Sequence, residues 1–343
     1  MKHAVYSCCI IFLSFALLLG GCAANPFRPK QTAPTNEAAD HADVKTTSAS
    51  SGQAKLSEED IDTYEIVLPG AQREYTLYFL TDLHMTLPDP SASSEENEYI
   101  TKRLTEFTAP DGTTPEETWD FWLSYVEEQQ ADGLLLGGDI IDCPSGANLD
   151  LLKNTLGTFS VHYIYTPGNH DWTYPWEYMT EKGRTDYLEK LSPYMDDNPD
   201  FHVLEYDDFV IAAVNNSSNQ IPESVLEPYR ALLAQSKPVL LLLHVPLFTQ
   251  SVLEKAKEAW SSPVVLGAGN YGGIYPNSSS EEFLQLTFAE DSPVFAVAAG
   301  HVHFTDFSET EGGKAIPQIT ADAGCHQRAV RIRLVKSAGS GTN

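Results

Sequence analysis

Five separate apolar runs in this chain each end in side chains able to bind a metal, and this repeated ending constrains the fold more than any other feature. Residues 75–80 run into Asp82 and His84, and residues 133–136 into Asp139. Residues 161–165 run into Asn169 and His170, residues 238–243 into His244, and residues 294–299 into His301 and His303. Short apolar runs rich in β-branched and aromatic residues, bounded by turn residues, read as buried strands. A sixth run, 209–214, ends in Asn215-Asn216. Residues 315–320 and 329–335 read as two closing strands. Helical spacing appears at 115–130, through Trp119, Trp122, Leu123 and Val126, and again at 148–156, 222–235 and 280–289. This alternation predicts an α/β architecture. Ligands of open α/β sheets bind outside the carboxyl ends of the strands, so these distant residues should meet at one rim. The polar stretch after His84 carries no assigned element. Segments 85–120 and 171–199 are long enough to shape a pocket, and no cap domain is assigned.

The pooled side chains are carboxylates, imidazoles and one amide, with no thiol. That mixture suits Zn, Mn or Fe better than Cu(I) or a cysteine-rich structural zinc. The seven donors Asp82, His84, Asp139, Asn169, His244, His301 and His303 exceed the needs of one ion. They suit two divalent metal ions that share a bridging carboxylate.

The blocks Asp82-Leu83-His84, Gly138-Asp139-Ile140-Ile141-Asp142, Gly168-Asn169-His170-Asp171, His244 and Gly300-His301-Val302-His303 resemble, in order and intact, the motifs of the calcineurin-like metallophosphoesterase family. The resemblance covers roughly residues 75 to 335. It implies two mixed β-sheets packed face to face and flanked by helices, a four-layer α/β/β/α fold. It also implies roles. Asp82, His84 and His303 would ligate one metal, and Asn169, His244 and His301 the other. Asp139 would bridge them. His170 would face the substrate without ligating, and Asp142 would orient it. Asp171 reads as a turn residue, and a simple turn or cap remains open for Asp142. Asn216 is a candidate to hydrogen-bond substrate. The implied activity is hydrolysis of a phosphate ester of a small molecule, by hydroxide formed at two metals. The Gly-His-x-His ending is closer to the family's phosphodiesterase-type members, which favours a diester or nucleotide. Two alternatives stay open. One is a non-catalytic surface protein that recognises a phosphorylated cell-wall or lipid ligand. The other is a hydrolase of pyrophosphate bonds or lipid headgroups.

The first 22 residues look like an address. Lys2 precedes an apolar run, residues 5–19, that is short for a membrane span and fits a signal peptide. The run ends in Leu19-Gly20-Gly21-Cys22, which resembles a bacterial lipobox, so Cys22 is the candidate lipidation site and membrane anchor. Residues 23–60 are polar and short of large apolar side chains, as in a flexible tether. Residues 61–343 then form the catalytic domain. An extracytoplasmic, membrane-anchored lipoprotein follows as the expected location.

With 48 acidic against 21 basic residues the formal charge is −27, which disfavours bulk nucleic-acid binding. Beyond the leader only Cys143 and Cys325 remain, too few for a disulfide framework, though a single bond stays open. The aromatic run from Trp172 to Tyr178 reads as a packed loop in preference to a stacking wall. The glycine-rich run 267–273 lacks a phosphate-loop lysine. Arg328, Arg331 and Arg333 read as solvated charge.

Overall fold

A computed structural model describes residues 56–174, 179–268 and 273–337. The leader 1–22 with Cys22, residues 23–55 of the tether, Trp176 and Tyr178 of the aromatic run, and residues 269–272 lie outside the described residues.

The elements run β1 (Ile61–Leu68), β2 (Tyr75–Leu80), α1 (Ser94–Phe107), α2 (Pro115–Glu128), β3 (Gly133–Leu136), α3 (Gly146–Leu156), β4 (Tyr163–Tyr165), α4 (Glu181–Leu191), β5 (Phe201–Glu205), β6 (Val210–Val214), α5 (Leu226–Leu233), β7 (Val239–Leu242), α6 (Gln250–Ala259), α7 (Ser278–Thr287), β8 (Val294–Ala299), β9 (Asp306–Glu309), β10 (Pro317–Thr320) and β11 (Ala329–Lys336). Apart from α5, the described α-helices begin where the sequence supplies a cap. Ser93 and Thr114 close reciprocal capping boxes with Glu96 and Glu117, and Asn277 accepts the Ser280 N–H.

The strands form two mixed sheets, ordered β1-β11-β2-β3-β4 and β5-β6-β7-β8-β10-β9. In the first, β2, β3 and β4 are parallel, and β11 runs antiparallel to β2. In the second, β6, β7, β8 and β10 are parallel, with antiparallel β5 and β9 at the edges.

Side chains that alternate along a strand point to opposite faces, and here both faces are buried. Leu77, Phe79 and Leu135 of the first sheet meet Ile211, Leu240 and Leu242 of the second in one apolar layer. Tyr78, Leu80, Leu134 and Leu136 face the other way, onto Trp119, Trp122 and Leu152 of α2 and α3. Val210, Leu241 and Val297 turn outward onto Tyr229 of α5 and Phe283 of α7. The result is the expected four-layer α/β/β/α stack.

Several elements were not expected from the sequence. Helix α1 fills the polar stretch after His84, and β1, β5, β9, α4 and α6 were also unassigned. The two closing strands part company, β10 joining the second sheet and β11 the middle of the first. The tail arginines are paired as well as solvated. Arg331 reaches Glu58, Tyr78 and Tyr125, while Arg328 pairs with Asp62. They lie on or just before β11, which pairs with β1, so acidic residues of β1 and of the turn before it come within reach.

Candidate metal centre

The parallel strands β2, β3 and β4 of one sheet, and β7 and β8 of the other, release their carboxyl ends at a common rim. Asp82 N and His84 N donate to Gly138 O and Asp139 O, both at 2.9 Å, which ties the loops after β2 and β3. Other bonds cross between the sheets, among them two at the centre of the rim. His301 N donates to Asp82 Oδ2 at 2.8 Å, and His244 Nδ1 lies 2.8 Å from Gly137 O. A carbonyl only accepts, so Nδ1 carries that proton and Nε2 is the ligand atom of His244.

Five residues of the rim, Asp82, His84, Asp139, His301 and His303, are left-handed, with φ between 51° and 70°. Such a backbone costs roughly 1–3 kcal/mol per residue, and this kind of strain gathers at functional sites. Gly138 makes the convergence possible. At φ 89° it passes so close to its neighbours that a Cβ there would lie 2.5 Å from Gly168 N and 2.6 Å from His244 Nδ1.

The donor atoms fall into groups. Asp82 Oδ1, His84 Nε2 and His303 Nε2 form a triangle with sides of 3.2, 3.3 and 4.0 Å. The equidistant point in the plane of these three atoms lies about 2.1 Å from each, within the roughly 2.0–2.2 Å of imidazole and carboxylate bonds to zinc. Around His244 Nε2, Asp139 Oδ2 lies at 3.3 Å, Asn169 Oδ1 at 3.3 Å and His301 Nδ1 at 3.1 Å. Asp82, His84 and His303, and separately Asp139, His244 and His301, are groups whose ligand atoms lie within 4.8 Å of one another. The first group holds the three residues that the family resemblance implies for one metal; the second holds Asp139 with two of the three implied for the other, and Asn169 lies beside His244.

Burial explains why such a centre suits cations. Asp82 and Asp139 are 0% and 2% exposed, and their ion-pair partners are histidines. Holding two carboxylates away from water costs several kcal/mol each unless positive charge compensates. Burial pushes Asp82 up, but His303 outweighs it and holds the carboxyl below its usual range. For Asp139 burial is likewise outweighed, by His244, His170 and then His84, so groups of both sets act on this one carboxylate. Asp139 in turn lifts His244 to about 9 against the opposing effect of burial. Burial, then the charge of His244, lowers His301 to about 3. Burial lowers His84 to about 4, against its bond to Asp142. His84 and His301 therefore hold lone pairs at neutral pH, as ligation requires. The donor set, its spacing and its unbalanced carboxylates fit two divalent ions.

Beside the two sets lies a second layer of bonds. Asp142 is wholly buried, and its Oδ1 lies 3.0 Å from His170 Nδ1 and 3.3 Å from His84 Nδ1. The turn alternative for Asp142 is thereby replaced by a shared anchor for two imidazoles. The His170 side chain is 29% exposed, the Asp142 carboxylate 1%. Burial lowers the His170 pKa, but Asp139 and Asp142 outweigh it and raise it overall. Arg103 of α1, not foreseen from the sequence, grips Asp142 with Nε to Oδ2 at 2.8 Å and Nη2 to Oδ1 at 2.7 Å. The capping box Ser93-x-x-Glu96 was the available signal for the helix that carries it.

Asp171 does more than shape its turn. Its Oδ2 accepts Asp139 N at 2.8 Å and Gly168 N at 2.7 Å, and its Oδ1 accepts Ile141 N at 3.0 Å and Tyr165 OH at 2.7 Å. It thus clasps the Asp139 and Asn169 loops together. Burial, then nearby Asp139, pushes Asp171 up to about 7, against these donors.

Asn216 requires a correction. Its side chain is fully buried, with Oδ1 accepting His244 N at 3.1 Å and Val245 N at 2.9 Å, and Nδ2 donating to Val245 O at 2.7 Å. It shapes the backbone at His244 and offers no surface to a substrate. Trp172 is buried and donates to Ser217 Oγ at 2.8 Å, so at that residue the loop is packed. Cys143 and Cys325 are both buried, and no disulfide joins them.

Residues 75–304 match the family model of the calcineurin-like phosphoesterases. Among solved structures, a dimetal phosphatase from Danio rerio is 13% identical, covers 74% of this chain and 88% of its own, and has a TM-score of 0.44. A phosphopantetheinyl hydrolase from Mycobacterium tuberculosis is 16% identical, with 72% and 89% covered and a TM-score of 0.36. No curated protein sequence matches the chain.

Proposed function

From the premise that the chain belongs to the calcineurin-like phosphoesterase family, we propose that this metal-dependent phosphoester hydrolase acts outside the cytoplasm on a small phosphodiester or nucleotide. The observation that carries the catalytic part is the pair of donor groups at one rim, Asp82, His84 and His303 in one and Asp139, His244 and His301 in the other.

In this proposal Asp82, His84 and His303 would hold one ion, Asn169, His244 and His301 would hold the other, and Asp139 would serve both. Ions held there would supply the charge that acidifies a water and offsets the negative charge of a phosphate in its transition state. The protein's own groups do the rest. His244 keeps its Nδ1 proton on Gly137 O, which turns Nε2 toward the centre. Thr81 Oγ1 donates to Asp82 Oδ2 at 2.6 Å and, with the His301 N–H, leaves Oδ1 to the donor triangle. His170 keeps Nδ1 on Asp142, so Nε2 is the atom that meets the substrate. Its raised pKa suits it to hold a proton there and pass it to the leaving oxygen.

The location rests on sequence: the apolar run after Lys2 and Leu19-Gly20-Gly21-Cys22 support a lipid anchor at Cys22. The preference for a diester rests on Gly300-His301-Val302-His303. A phosphorus NMR product screen tests the substrate class, with Mn²⁺ added and mononucleotides, cyclic nucleotides, glycerophosphodiesters and pyrophosphates offered in turn. Turnover confined to pyrophosphates would sink the ester preference. Lipid labelling of the parent chain that survives Cys22→Ser would sink the anchor.

A further inference from the structure

Helix α1 has little reason to dock for its own sake. It buries only Ile100 and Phe107, with Tyr99 and Leu104 half-buried and its other side chains polar or charged. Its strongest attachments end at the metal centre. Arg103 spans Asp142 with two N–H donors, its side chain 11% exposed against a carboxylate 1% exposed. One turn on, the Phe107 ring lies flat on the His84 imidazole, centroids 4.3 Å apart and planes 7° off parallel. The Arg103 guanidinium lies over the same ring at 4.5 Å, and Phe107 packs with Ala323 and Cys325.

We propose that Arg103 is a positioning residue, whose two-pronged grip on Asp142 fixes the orientation of both His84 and His170. The proposal rests on the two-metal hydrolase assigned above. Asp142 Oδ1 is the common point: Arg103 Nη2, His170 Nδ1 and His84 Nδ1 all converge on it, at 2.7, 3.0 and 3.3 Å. A carboxylate on a single-bonded stem can rotate. Two parallel N–H···O bonds from a planar guanidinium fix its plane, and with it the direction of the bonds to both imidazoles. The stacked Phe107 blocks tilting of the His84 ring from its face. In this way α1 couples one metal ligand and the substrate-facing histidine through a single carboxylate. A lysine would keep the charge but not the fork.

The test compares the parent chain with Arg103→Lys and Arg103→Ala. Three quantities are measured: kcat and KM on an aryl phosphate with Mn²⁺, Mn²⁺ affinity by calorimetry without substrate, and recovery on adding millimolar guanidinium ion. Both variants should lose about 10–100-fold in kcat and in affinity for one of the two Mn²⁺ ions, the usual scale for groups that orient metal ligands. KM should change by less than about 3-fold, because no substrate contact is removed. Guanidinium ion should restore Arg103→Ala far more than Arg103→Lys. Parental Mn²⁺ affinity in both variants would overturn the proposal. So would a fully active Arg103→Lys, or an Arg103→Ala loss that follows thermal unfolding and resists guanidinium. If the parent hydrolyses no ester, the hydrolase assignment fails, while Mn²⁺ affinity and its rescue still decide the role of Arg103.

Discussion

Replacing Asp171 by asparagine should destabilise the protein by about 2–6 kcal/mol. The carboxylate accepts four hydrogen bonds, two on each oxygen, three of them from backbone amides of the loops that carry Asp139 and Asn169. Asparagine has one acceptor oxygen and turns an NH₂ toward the donors left on the other side. Two buried donors then lose their partner, at about 1–3 kcal/mol each. Against a typical total of about 5–15 kcal/mol, that is a large fraction of the stability. For a domain of this size it corresponds to a fall in Tm of roughly 5–20 °C. Urea unfolding should be followed at pH 8, above the value of about 7 to which burial and Asp139 push the acid, so that the carboxylate is the form being replaced. Tyr165→Phe removes one of the four donors and leaves the carboxylate satisfied, so it should cost only about 1 kcal/mol. A loss below about 1 kcal/mol for Asp171→Asn would refute the clasp and return Asp171 to an ordinary turn residue.

Other consequences are as specific. His170→Ala should lower kcat by roughly 10²–10⁴-fold, with the bound metal, read by elemental analysis, unchanged; loss of metal would make His170 a ligand instead. Asn216→Ala should cost about 2–4 kcal/mol in urea unfolding and lower kcat without raising KM, since it strands the His244 and Val245 amides; a selective rise in KM would restore a substrate contact. Burial, then Asp142, pushes the Cys143 thiol up to about 12. A raised thiol pKa keeps the proton on below that value, leaving roughly 10⁻⁴ as thiolate at pH 8. Cys143 should therefore resist iodoacetamide in the native protein and react in urea; equal rates would contradict the burial.

The centre was legible because its residues end strands, and a strand's apolar run is visible in one sequence. Asp82, His84, Asp139, Asn169, His244, His301 and His303 all come to one rim. The helix that braces them was not legible: α1 buries only Ile100 and Phe107, too few to give a helical stripe. Strand β1 escaped for a similar reason, since only Ile66 and Leu68 of its eight residues are buried, and it follows the polar tether directly. Asn216 shows the opposite failure. An asparagine after a strand looks the same in sequence whether it faces a ligand or, as here, holds the backbone of a ligand residue. The left-handed turns at Asp82, His84, Asp139, His301 and His303 leave no sequence trace, because aspartate and histidine occupy other conformations far more often.

The central claim is that two donor sets, joined at Asp139, hold two ions that hydrolyse a phosphate ester. The most direct test counts metal and turnover together in the full chain: Mn²⁺ per chain by calorimetry, and hydrolysis of an aryl phosphate diester and monoester. The parent should bind two ions and cleave at least one ester, and Asp139→Asn should lose at least one ion and roughly 10³-fold or more in kcat. A parent that binds one ion or none, or an Asp139→Asn variant that keeps both ions and full turnover, would contradict it.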